Sequence, residues 1–349
     1  MEHIPSLELQ VTVQPPLDHF EPTADSIQAA RDRIGKYAVR TPILESQELN
    51  RLVGGRVLIK PENLQRSGSF KLRGALNRAL QLNAAQRDCG IVTWSSGNHG
   101  LAISFVAREL GIRATVLMPY DAPKTKVEGV RQNGASVRLY DKTKEDREEI
   151  GAQIAAESGA VIVPPYDDPY VITGQATLGA EIAHQAAEIG VSLDVALFSC
   201  SGGGLVSGAA CGVHTLMPRA AIYSVEAAGF DGMALSLAAG EPRKAPALAT
   251  SICDALLVPA PGKLTFPICR KHLAGGLSVD DDEVKEAIRF AYRDLKLVVE
   301  PGGAVALAAL LAGKLEITGK IAAILVSGGN VDSDKFANYL TTVSEPEHA

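Results

Sequence analysis

Residues 67–75 read Ser67-Gly68-Ser69-Phe70-Lys71-Leu72-Arg73-Gly74-Ala75. One lysine follows a short Ser/Gly turn and opens a helical pattern of apolar positions, Leu72, Ala75, Leu76, Ala79 and Leu80. At such a loop-to-helix junction, packed neighbours would grip the lysine stem and leave its amine partly out of water. Burial disfavours the ammonium, and the neutral amine is the form that condenses with an aldehyde. The same residues also suit an ordinary surface lysine at a helix start, and this segment alone does not separate the two.

The surrounding chain narrows the choice. Its 349 residues are 46% apolar, enough for two subdomains or one large α/β unit. A net charge of -6 offers no basic surface for nucleic acid or an anionic membrane. The five cysteines, Cys89, Cys200, Cys211, Cys253 and Cys269, are odd in number and show no C-x-x-C spacing. That argues against a disulfide framework or a zinc cluster and for free thiols in a reducing cytosol. Residues 1–16 carry no signal-peptide core and no apolar run reaches membrane-spanning length, so a cytoplasmic protein is expected.

Short β-branched runs alternate with amphipathic ones. Strands are expected at 56–60, 91–94, 114–118, 136–140, 160–163, 195–199, 221–226 and 321–327. Helices are expected at 24–37, 101–110, 124–133, 144–158, 177–189, 205–216, 281–295 and 304–311. The alternation predicts an α/β fold of mostly parallel, open twisted sheets with helices on both faces. A Pro-rich arm precedes residue 24, Pro164–Pro169 reads as a rigid crossing between lobes, 240–267 as a surface excursion, and 344–349 as frayed.

Three further turns carry polar chemistry. Ser199-Cys200-Ser201-Gly202-Gly203-Gly204-Leu205 leaves a strand and opens a helix, and a glycine turn at a helix N-terminus suits a phosphate. Ser207 stands where a dinucleotide fingerprint needs its third glycine, and no Gly-Lys-Ser/Thr follows. Ser95-Ser96-Gly97-Asn98-His99-Gly100 offers hydroxyls, an amide and backbone N–H groups suited to a carboxylate, or simply a capped turn. Ser327-Gly328-Gly329-Asn330 ends the last strand, and Glu300 opens another helix. Glu226 and Asp231 could form half of a divalent-cation site, although two surface carboxylates are commonplace.

Together these segments resemble the fold-type II pyridoxal phosphate (PLP) enzymes, in the branch of threonine/serine dehydratases and serine racemases. The resemblance rests on Glu62-Asn63-Leu64-Gln65, Ser67–Lys71, Ser95–Gly100, Gly202–Gly204 and Ser327–Asn330, in order, from about Ile27 to Asp332. It implies a large cofactor-binding subdomain of residues 1–78 and 168–349 and a small mobile one of 79–167. It also implies a homodimer acting on a small amino-acid substrate. Lys71 matches the Schiff-base lysine and Cα base. Phe70, Asn98, Ser201, Gly202, Gly203, Gly204, Leu205 and Ser327 match cofactor-binding positions, Asn98 at the ring hydroxyl and Ser327 at the pyridine nitrogen. Ser95, Ser96, Asn98 and His99 match the substrate carboxylate loop, and Ser96 matches the opposite-face residue of racemases.

The implied reaction is β-elimination from a β-hydroxy amino acid of the L-threonine or L-serine type, giving a 2-keto acid and ammonia. A neutral hydroxyl such as Ser327 leaves the ring a weaker electron sink than an aspartate would, which favours expelling a β-leaving group. Alternatives are racemisation, a dehydratase for phenylserine or threo-3-hydroxyaspartate, and a catalytically idle PLP-binding protein. Leu72-Arg73 after the lysine departs from the Asp-Arg of cysteine synthases. Gly232 stands where the metal-binding branch has an acidic residue, which puts a cation at Glu226 in doubt. The chain ends soon after Asp332, so the branch's effector-binding regulatory domain is not expected.

Overall fold

The computed structural model describes residues 20–246 and 250–341. The arm before residue 20 and the segment 344–349 lie outside the described residues. In chain order the elements are α1 (Ala24–Ile34), α2 (Gln47–Val53), β1 (Arg56–Pro61), α3 (Lys71–Ala79), α4 (Ala84–Cys89), β2 (Ile91–Trp94), α5 (Asn98–Leu110), β3 (Ala114–Pro119) and α6 (Lys124–Gln132). There follow β4 (Ser136–Tyr140), α7 (Arg147–Ser158), β5 (Val161–Ile162), α8 (Pro169–Glu188), β6 (Val195–Ser199), α9 (Gly204–His214), β7 (Ala221–Ala227) and α10 (Gly232–Ala239). The last are α11 (Thr265–His272), β8 (Leu273–Val279), α12 (Asp281–Phe290), α13 (Pro301–Leu311), β9 (Ile321–Val326) and α14 (Ser333–Thr341). No described helix is long and apolar enough to cross a membrane.

Two parallel sheets result. The larger runs β1-β9-β6-β7-β8 and the smaller β4-β3-β2-β5. Strand alternation explains why both faces are covered. In β6, Leu197 joins Val225, Ala287 and Val305 in one apolar cluster, while Ala196 and Phe198 join Leu178, Val206 and Ala209 in another. The smaller sheet divides likewise. Ile91 and Val116 pack with Leu72, Leu76 and Ile103, and Val92, Trp94 and Leu117 pack towards Ile150 and Ile154 of α7.

Between β1, α3 and α8 lies a buried ionic cluster. The Arg73 guanidinium donates to both Glu62 oxygens at 2.8 Å and to Glu181 Oε2 at 2.9 Å. Lys60 Nζ donates to Glu181 Oε1 (2.6 Å), Gln185 Oε1 (2.7 Å) and the Thr41 carbonyl (2.7 Å). Thr41 Oγ1 donates to Glu62 Oε1 at 2.7 Å. Burial alone would raise the Glu62 pKa, but the Arg73 charge and hydrogen bonds outweigh it and hold the carboxyl below its ordinary range.

Several differences from the sequence reading have local causes. The strand β8 was not expected, because Gly275 and Gly276 break the β-branched pattern. Gly276 is required by packing, since a Cβ there would lie 2.6 Å from the Ala234 Cβ of α10. The helix α8 starts at Pro169 rather than 177: Asp168 caps it by accepting from the Tyr170 and Val171 N–H groups, both at 2.9 Å. The 240–267 stretch is not only a surface excursion. Ala245, Cys253 and Leu256 are buried, and 254–259 reaches the cavity described below. The short helices α2, α4, α10, α11 and α14 span at most nine residues each and leave too little apolar periodicity to read.

Removing one member of the ionic cluster should cost more than removing an exposed pair. Arg73→Met would leave the buried Glu62 without its guanidinium partner and Glu181 with Lys60 alone, with an expected loss on the order of 3–5 kcal/mol. Urea unfolding should show this as a lower midpoint, while Arg51→Met, which breaks an exposed pair with Glu48, should leave the midpoint in place.

Candidate active site

The sheet order brings together turns that are far apart in sequence. Three adjacent strands, β1, β9 and β6, run parallel, so the segments leaving their C-terminal ends meet at one edge, where open α/β sheets bind ligands. The turn before Lys71 is stitched to the turn after β9. Phe70 N donates to the Ser327 carbonyl (3.0 Å), Gly329 N to Gly68 O (2.9 Å) and Asn330 Nδ2 to Ser67 O (3.0 Å). Gly68 has φ +74°, and a Cβ there would sit 2.3 Å from Asn330 Oδ1, so both conformation and space demand glycine.

This stitching fixes the start of α3 and therefore Lys71. Its Nζ donates to the Pro165 carbonyl at 2.7 Å. Burial pulls the amine down to about 8, which supports the first of the two readings of this lysine. Pro165 lies in the crossing from β5 to α8, so that crossing borders the amine directly.

The β2–α5 turn supplies Ser95, Ser96, Asn98 and His99. Asn98 Oδ1 accepts from Asn330 Nδ2 at 2.8 Å, and Asn98 Nδ2 donates to Glu300 Oε1. These contacts orient the Asn98 amide from two sides. Burial pushes Glu300 up to about 7, against the opposing Lys126 charge and the Asn98 hydrogen bond. His99 Nε2 lies 3.1 Å from the Val163 carbonyl. Because a carbonyl only accepts, that nitrogen is assigned the proton. Burial, with the Lys71 charge, lowers His99 to about 3, so the ring is neutral at neutral pH and is no ready proton donor.

The glycine turn is held from behind. Thr265 Oγ1 (2.6 Å) and Gly262 N (3.0 Å) donate to the Gly202 carbonyl, and Val258 N donates to Ser201 Oγ (3.2 Å). Gly203 has φ +93°, and Cβ atoms at Gly202 and Gly204 would meet Tyr166 at 2.5 and 2.7 Å. The backbone thus runs at the cavity wall where side chains would block it.

A cavity of about 300 Å³ is lined by Phe70, Lys71, Ser95, Ser96, Asn98, His99, Ser201–Leu205 and Ser327. It therefore gathers every cofactor- and substrate-binding position anticipated from sequence. It also has walls that the sequence reading missed: Lys126, Arg147, Tyr166 and residues 254–259. Lys126 and Arg147 sit in helical patterns that look like any solvated face, and only the tertiary fold turns them inward.

Glu226 and Asp231 stand apart from the cavity. Glu226 is fully buried, and its oxygens accept from Met233 N (2.9 Å) and Ala234 N (2.8 Å), capping α10. The carboxylate is thus engaged by backbone, and burial raises it to about 8. Asp231 is the residue preceding α10. Glu226 thus serves the helix start, while the Asp231 side chain makes no capping hydrogen bond.

The lining fits an aldehyde cofactor bearing a phosphate. A lysine with a depressed pKa faces a glycine turn at a helix N-terminus. Three buried polar atoms of lining residues, Ser199 Oγ, His99 Nδ1 and Glu300 Oε2, have no protein partner. Comparison with known proteins agrees. A family model described as "Pyridoxal-phosphate dependent enzyme" matches residues 34–328. Serine racemase of Schizosaccharomyces pombe is 41% identical over 322 residues, covering 92% of this chain and 98% of the relative. L-threo-3-hydroxyaspartate ammonia-lyase of a Pseudomonas species is 42% identical over 317 residues, covering 90% and 97%. The solved structure of maize serine racemase matches with a TM-score of 0.86 at 35% identity, covering 91% of this chain and 97% of that one. A lysine, a phosphate-sized turn and a family match over most of the length lead to one conclusion: the chain belongs to the pyridoxal-phosphate dependent enzymes, with PLP as its cofactor.

Proposed function

We propose that the protein is an ammonia-lyase that converts a β-hydroxy amino acid of the L-serine or L-threonine type to a 2-keto acid and ammonia. The observation that carries this reading is the shared cavity of Lys71, the glycine turn and Ser327. Bound PLP supplies the electron-withdrawing group that acidifies the substrate Cα–H. In this reading Lys71 anchors the cofactor and then removes the Cα proton. N–H groups of Ser201–Leu205 would hold the phosphate, Phe70 would border the ring, Asn98 would hold the ring hydroxyl and Ser327 would offer a neutral group to the ring nitrogen. Ser95, Ser96, Asn98 and His99 receive the substrate carboxylate. The β-hydroxyl leaves as water, and hydrolysis of the released enamine returns one water and frees ammonia. Residues 79–167, which contain the whole smaller sheet, form the lobe that closes over the substrate.

Arg147 and Lys126 favour a second reading. Both line the cavity, and Lys126 Nζ pairs with Asp254 at 2.7 Å, which leaves the Arg147 guanidinium as the cation suited to a second carboxylate. That arrangement suits a substrate with an acidic side chain, such as threo-3-hydroxyaspartate. The L-threo-3-hydroxyaspartate ammonia-lyases among the relatives support it. Racemisation through Ser96 draws support from the serine racemases among them.

A panel of L-serine, L-threonine and L-threo-3-hydroxyaspartate, scored for keto acid and equimolar ammonia, tests the proposal. Recovery of the opposite enantiomer without keto acid would replace lyase with racemase. Lys71→Ala should lower turnover by roughly 10²–10⁴-fold or more, measured on the same panel. Arg147→Ala should raise KM for hydroxyaspartate by roughly tenfold to a hundredfold, the worth of one charge-assisted hydrogen bond, with L-serine little affected. In the cofactor-free protein the neutral fraction of Lys71 grows as pH rises through about 8. The rate of PLP uptake, followed by absorbance, should therefore increase across that pH and level off above it.

A further inference from the structure

A second cluster of ligand-type side chains lies outside the cavity. Glu21, Cys211 on α9 and His272 at the end of α11 bring one oxygen, one sulfur and one ring nitrogen within 4.8 Å of one another. Cys211 is buried at 5% exposure, and the His272 side chain is 13% exposed. None of the three lines the active-site cavity.

The hydrogen bonds around His272 leave its contact with Glu21 without a donor. His214 Nε2 lies 3.0 Å from the Ala220 carbonyl, which can only accept, so Nε2 carries the proton. A neutral His214 therefore presents a bare Nδ1. His272 Nδ1 sits 2.9 Å from it and must donate. A neutral His272 then has its own bare Nε2, and that lone pair lies 2.7 Å from Glu21 Oε1, which also only accepts. With both rings neutral, two acceptors face each other. Either a proton or a metal ion resolves the clash. A proton would make no use of the neighbouring Cys211 sulfur, whereas a borderline-soft divalent cation would bind all three atom types.

We propose that Glu21, Cys211 and His272 form a zinc-class metal site, with His214 orienting the His272 ring through its Nδ1–H. Glu21 and His272 need to part by roughly half an ångström to accept tetrahedral bonds of ~2.0 Å. The Cys211 thiol proton passes to solvent as the metal–sulfur bond forms. Three protein ligands leave the fourth position to water. Lys271 also pairs with Glu21, at 2.7 Å to Oε2 and 3.0 Å to Oε1, but its side chain is 64% exposed, so it can turn to solvent and keep only Oε2 when a metal takes Oε1. No spacing motif announces the site, because its ligands come from three separate segments.

The site would fasten the chain entering α1 to the far ends of α9 and α11. Both helices begin at the glycine turn, α9 within it and α11 through the Thr265 hydroxyl on the Gly202 carbonyl. The metal would thus brace the two helices whose other ends build the phosphate turn.

The test uses tag-free holoenzyme dialysed against zinc(II), with metal per chain measured by mass spectrometry. One zinc per chain is expected in the wild type. Cys211→Ser and His272→Gln should each abolish stoichiometric uptake, with PLP content unchanged as the check on folding. His214→Gln should weaken zinc binding by about 10–100-fold, the usual effect of losing a partner that orients a ligand. Cobalt(II) in the wild type should give the intense visible bands of a four-coordinate centre, which needs no variant to fold. Wild type that takes up no zinc, or variants that hold it as tightly as wild type, would overturn the proposal and leave the Glu21–His272 contact as a protonated ion pair.

Discussion

The constraint on which the rest depends is the charge cluster beneath α3. Arg73 stands two residues after Lys71 and has almost no exposed surface, so the helix cannot shift without stranding a guanidinium. Its partners come from the turn after β1 (Glu62) and from α8 (Glu181), and Lys60 ties the same Glu181 to Thr41 and Gln185. Burial drags the Lys60 amine down to about 8, so its three acceptors matter to keeping it charged. A cluster of this kind adds little net stability compared with apolar packing, but it tolerates few alternative arrangements. The result is a fixed register between α3, β1 and α8, and hence a fixed origin for the lysine that opens α3.

The geometry of the cavity follows from that register and from sheet order. Because β9 lies between β1 and β6, the Ser327 turn sits between the lysine turn and the glycine turn. Backbone hydrogen bonds link the first pair, and Phe70 packs in the same apolar cluster as Leu205, which joins the third. Asn98 reaches the same crevice from the smaller sheet and is held by Asn330 and Glu300 of the larger one. The cavity is thus a junction between the two sheets, and the polar contacts across it can break and reform without unfolding either core.

Much of this was legible in the sequence. Strands such as 91–94 and 195–199 stood out because apolar runs ended in Gly/Ser turns, and the turns carried the chemistry. What stayed hidden has physical causes. Arg73 went unremarked as a buried residue, since one-dimensional periodicity does not show a buried charge whose partners are 11 and 108 residues away. Gly275 and Gly276 concealed β8 because packing against α10 outweighed strand propensity. Arg147 and Tyr166 were missed because nothing local separates a cavity wall from solvent. Glu226 is the opposite case: the sequence leaves a carboxylate beside an aspartate open to several roles, and only the fold shows its oxygens accepting from the backbone at the start of α10.

The position of β9 bears on how the molecule comes into being. The last of the described strands to be synthesised occupies an interior slot of its sheet, pairing β1 on one side and β6 on the other. Until residue 326 leaves the ribosome, β1 and β6 each present an unsatisfied edge, and the Ser327 turn is absent. The nascent chain must therefore wait, with an open gap, until β9 is made before it can enclose a coenzyme, and chains that stop short of β9 have exposed strand edges suited to aggregation.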